Sequence, residues 1–166
     1  MQAGQSAAHF TPSQGVRCHM DLEIVHPRTF FELLYEDEDF CNQLGKLVLA
    51  ASVFESSLRL FLLSRKVAGI NKKTTLGPMI KALQKNNLVK SNSEVDFKDM
   101  LIKRNYLIHN LYALFSQEIE ATLLPRDGLV ELDVFQFAEK ARNEATDFRC
   151  FAEEIIEATE IEGAIL

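Results

Sequence analysis

A chain of 166 residues with 47% apolar and 25% charged residues, seven glycines and four prolines is composed like one globular domain around one core, which excludes collagen-like, low-complexity and disordered classes. Its formal net charge of −6 argues against indiscriminate binding of nucleic acid by the whole surface. Three cysteines, Cys18, Cys41 and Cys150, match neither a disulfide framework nor a zinc pair and read as reduced thiols of a cytoplasmic protein.

Residues 1–28 lack the basic start and apolar run of a secretory signal and read as a flexible tail, leaving 29–166 as the folded domain. Apolar residues then recur at intervals of three and four, which predicts an all-α fold, an antiparallel bundle of four or five helices. The first helix spans about Thr29 to Tyr35. After the acidic "EDED" a long one runs from about Phe40 to Arg65. Its window Lys46 to Ser64 is apolar enough to suggest a membrane span, but Glu55 and Arg59 lie at its centre, where ionised groups are costly in lipid, so no membrane is expected. "TLGPMIKALQKNN" reads as a short helix with Pro78 in its first turn. Ser93, with Asp96 three residues on, resembles a capping box opening a helix to about Ser116. "ATLLPRDGLVEL" is either a small hairpin near 121–132 or a loop. Asp133 can cap a last helix to about Glu160, its apolar stripe formed by Phe137, Ala141, Ala145, Phe148, Ala152 and Ile155.

Charge is unevenly distributed. Residues 65–104 hold ten Lys or Arg against three acids, net +7, so the remainder carries −13. Such a segment is either a solvated face or a patch for a polyanion. Lys72, Lys73, Lys98 and Lys103 are its candidate RNA-contacting residues.

The helix from Ser93 to Ser116 contains "KRNYLIHNLY". At 100° per residue, Phe97, Met100, Leu101, Leu107, Ile108, Leu111, Leu114 and Phe115 share one arc, with Arg104 at its middle. An arginine cannot shed its charge, so burial requires a partner. On the long helix Glu55 lies centrally in the stripe Leu44, Val48, Ala51, Leu58 and Leu62. Arg104 and Glu55 are therefore expected to meet, if only to fix helix register. Asn105, His109, Tyr112 and Ser116, spaced by four, three and four, form a polar strip beside that arc. Arg104 and His109 stand about 140° apart around the axis and roughly 7.5 Å along it. A single helix does not aim both at one phosphate. Two copies crossing near a twofold axis bring the arginine of one chain toward the histidine of the other, which predicts a homodimer.

"RNYLIH", an arginine and a histidine separated by four residues late in a helix, resembles the R-x4-6-H motif of HEPN domains, and the resemblance covers about residues 29–160. It implies a metal-independent endoribonuclease with Arg104 and His109 as the catalytic pair, Asn105 in the polar position after the arginine, and no cofactor. Glu55 and Tyr112 would be supporting residues. Histidine can take the proton of a ribose 2'-OH near neutral pH, and arginine can hold the charge that builds on phosphate. The resemblance also implies a toxin or defence effector held by an antitoxin or regulatory protein in trans.

No metal site is read from His9, His19, His26 and His109, which show no HExxH spacing. GxSxG and glycine-rich phosphate motifs are missing as well. The alternative function is a noncatalytic HEPN-like helical dimer that binds RNA, a nucleotide or a regulatory protein.

Overall fold

A computed structural model describes residues 24–109 and 129–166. It contains, among those residues, five helices and no strand: α1 (Pro27–Glu36), α2 (Glu38–Ser64), α3 (Leu76–Lys85), α4 (Glu94–His109) and α5 (Asp133–Glu160). The all-α bundle expected from periodicity is what forms. The predicted continuation of α4 with Tyr112 and Ser116, and residues 121–128 of the suggested hairpin, lie outside the described residues. Residues 129–132 form no strand.

Helix ends follow local chemistry. Pro27 opens α1, where its missing N–H costs nothing. Asp37 then serves two helices: its N–H donates to Leu33 O at 3.0 Å, and its carboxylate accepts from Phe40 N at 2.6 Å, capping α2. At the far end of α2, Lys66 takes φ 54° while its N–H and that of Val67 bond to Leu63 and Leu62 carbonyls. The same double closure ends α3, with Asn87 at φ 52° and Leu88 N–H bonding to Leu83 O. Asp133 is the first residue of α5 and not its cap, a position held by Leu132. Its buried carboxylate instead accepts Val130 N–H at 2.8 Å.

α2 is the centre of the bundle. Phe40, Leu47, Phe54, Leu58, Phe61 and Leu62 are buried along it, and α5 packs against it most closely. Phe54 lies at the heart of an aromatic cluster with Phe148, Phe97 and Phe151. Not all neighbours are antiparallel. Asp39 meets Arg142, Phe54 meets Phe148, and Arg65 meets the carbonyls of Ala158 and Ile161, so α2 and α5 run in the same direction. α4 runs against them, with Phe97 beside Phe151 and Lys103 beside Glu144.

α2 is also the one described helix long and apolar enough to cross a membrane, with 39% of its apolar window buried. Arg65 closes the bundle at its end: its guanidinium donates to carbonyls in the last turn of α5 and beyond, at 2.7 Å to Ala158 and Ile161, and lies over the Phe61 ring. A cation there also meets the negative end of the α5 dipole.

Candidate functional site

Glu55 and Arg104 meet as the two stripes require. Arg104 Nη2 donates to Glu55 Oε2 at 3.1 Å, joining α4 to α2. A third residue, read from the sequence only as a charge against a membrane span, completes the group: Arg59 Nη2 donates to the other oxygen, Glu55 Oε1, at 3.1 Å and to Thr74 O at 3.1 Å. Its signal was present, since Arg59 stands four residues after Glu55 on the same helix face. All three side chains are largely buried, 18% exposed for Glu55, 19% for Arg59 and 26% for Arg104.

One carboxylate between two guanidinium groups leaves the trio with one net positive charge. Partial burial strengthens that charge, because little water screens it. Arg104 is thus held in place by an acid that does not fully neutralise its surroundings.

The other residues of the motif face elsewhere. Asn105 and His109 are exposed on α4, on the stripe with Lys98 and Ile102, about 100° and 140° around from Arg104. Within one chain the structure therefore brings Arg104 to Glu55 but not to His109. Tyr112 lies outside the described residues. Ile108, expected in the apolar arc, is 55% exposed, whereas Phe97, Met100 and Leu107 are buried.

The candidate basic track divides. Lys72, Lys73 and Lys98 are exposed and free to meet a polyanion. Lys103 is not part of that track: its ammonium is ion-paired with Glu144 at 3.0 Å, Asp99 at 3.1 Å and Asp147 at 3.7 Å, and its side chain is 14% exposed. Burial pulls the Lys103 pKa down, but the hydrogen bonds and charges of Glu144 and Asp99 outweigh it and hold the ammonium above the usual lysine value. Burial pushes Glu144 above the usual carboxylate range, with Lys103 pulling it partly back.

This second buried pair, Lys103 with Glu144, was not read from the sequence, where only Glu55 and Arg104 were placed centrally on apolar stripes. Its signal was also present: Glu144 sits between Ala141 and Phe148 at spacings of three and four, a better fit to the α5 stripe than the half-buried Ala145. Among the described residues no cluster of three His, Cys, Asp or Glu is placed to hold a metal.

Comparison with family models, curated proteins and solved structures finds no match to this chain. Its functional reading therefore rests on the residues themselves.

Proposed function

We propose that the chain is a metal-independent endoribonuclease of the HEPN type, acting as a homodimer. The observation that supports this reading most is Arg104: a largely buried arginine, fixed by Glu55 in a locally cationic trio, five residues before an exposed histidine in "RNYLIH".

In the proposed reaction His109 accepts the proton of the ribose 2'-OH. The 2'-oxygen then forms a bond to phosphorus, the bond from phosphorus to the 5'-oxygen breaks, and a protonated imidazole returns a proton to the departing oxygen. Arg104 donates to the phosphate oxygens on which charge accumulates. Because Arg104 and His109 of one helix diverge by about 140°, the pair that meets one phosphate comes from two copies. The products are a 2',3'-cyclic phosphate and a 5'-OH.

Exposed Lys72, Lys73 and Lys98 supply attraction for the RNA backbone. A nuclease of this kind is harmful to its own cell, which fits a cytoplasmic toxin or defence effector restrained by an antitoxin or another regulatory protein.

One observation favours the noncatalytic reading, a helical dimer that binds RNA, a nucleotide or a protein: the partner of Arg104 in the structure is an acid of its own chain. The two readings separate on an oligoribonucleotide incubated in EDTA beside its all-2'-deoxy counterpart. The nuclease cuts only the RNA and leaves cyclic phosphate ends. A binding module retains both oligonucleotides whole.

A further inference from the structure

α2 is apolar on both sides. Opposite its buried face, Leu49, Val53, Ser56, Leu60 and Leu63 follow one another at spacings of four, three, four and three, the repeat of a helix seam that packs on another helix. All five are exposed, Leu49 by 68% and Leu60 by 62%. A helix that is hydrophobic all round is normally covered all round. Among the described residues this one is covered on one side only.

The seam is nearly symmetric about Ser56. Reversed, Leu49 falls opposite Leu63, Val53 and Leu60 fall one residue out of register with each other, and the small Ser56 meets itself at the crossing. Charge agrees with that reversal. Exposed Glu36 and Glu38 stand at the start of α2, and exposed Lys66, Lys72 and Lys73 follow its end. Antiparallel pairing sets acidic ends against basic ones, whereas parallel pairing sets like against like. Covering these side chains and their small neighbours on both copies removes on the order of 1,000 Å² of surface, about the lower bound for a specific interface. A groove of 430 Å³ beside Leu49 and Val53, walled by Ala145 and Arg149 of α5, gives the partner's side chains room to enter.

We infer that a second copy of this chain packs antiparallel on the outer face of α2, about a twofold axis at Ser56. The contact is distinct from the one the composite nuclease site needs. α4 touches α2 through Phe54 and Glu55, away from the seam, so this twofold does not bring Arg104 and His109 of two copies together. A chain that uses both faces assembles as a dimer of dimers, with two isologous interfaces.

The test is the native mass of the full chain by light scattering at micromolar concentration, for wild type and Leu60→Glu, together with oxidation of Ser56→Cys in a background where Cys18, Cys41 and Cys150 are serine. The inference predicts that Leu60→Glu halves the mass with its circular dichroism intact, and that Ser56→Cys forms a covalent dimer. Leu60 is exposed enough for the substitution to leave the core alone. Should Leu60→Glu unfold, Leu60→Ser serves in its place. An unchanged mass with no Ser56→Cys crosslink overturns the inference, whether the protein is then a monomer or a dimer through another face. RNA cleavage assayed on the same samples reports on the nuclease reading separately, since Leu60 lies outside the proposed site.

Discussion

Glu55 holds two arginines with its two oxygens, so its charge has structural and electrostatic consequences at once. Glu55→Gln keeps the shape but leaves two partly buried cations facing a neutral amide. The expected cost is about 1–2 kcal/mol in chemical denaturation, with a fall in RNA cleavage because Arg104 loses its anchor. Lys103 is the second residue on which much depends. Lys103→Met strands the buried Glu144 without its cation and should cost about 3 kcal/mol near neutral pH. The pH dependence has a definite sign. The folded-state pKa of Lys103 is raised above 10.5, so its stabilisation is fully present below that value and lost as pH rises through the folded pKa. The stability difference between wild type and Lys103→Met should accordingly stay level from neutral pH up to about pH 10.5 and close above it. A difference that widens in alkali would contradict the ion-pair account.

At the scale of the helices, two end positions make separable predictions. Asp37→Ala removes the cap on Phe40 N–H and should cost about 1 kcal/mol. Lys66 occupies a left-handed position that favours glycine, so Lys66→Gly should stabilise the protein by roughly 0.5–1 kcal/mol in thermal unfolding. The helices themselves were legible because their apolar residues recur at helical intervals and Pro78 stands in the first turn of α3, whereas α1 begins at Pro27, inside the segment read as a tail. The phase of α2 was harder to read. Of the expected stripe, Ala51, Leu58 and Leu62 are buried, but Leu44 is only partly buried and Val48 is 40% exposed, while Leu47, Phe54 and Phe61 are buried as well. Periodicity cannot choose the inner side of a helix that is apolar on both. The pairing of Glu55 with Arg104 was still recoverable, because a charge flanked by apolar residues demands a partner whatever the exact phase. Arg59 and Glu144 obey the same rule and were missed for want of applying it to every charge.

Across the whole molecule, the parallel run of α2 and α5 was hidden from local pattern, since direction is set by the path of residues 65–132 between them. The same scale decides where the basic segment acts. Of its ten cations, Arg65, Lys103 and Arg104 are committed to contacts within the fold, leaving exposed lysines to attract a polyanion. Binding of a noncleavable RNA analogue should weaken steeply between low and physiological salt, and the triple substitution of Lys72, Lys73 and Lys98 by Ala should flatten that dependence. Binding insensitive to salt would place recognition elsewhere. The proposed cleavage of RNA by Arg104 and His109 is tested by digestion of total RNA in EDTA by wild type beside His109→Ala, with folding followed by circular dichroism. The account predicts cleavage by wild type and a loss of about a hundredfold or more in a folded His109→Ala; equal cleavage by both, or none by a folded wild type, would contradict it.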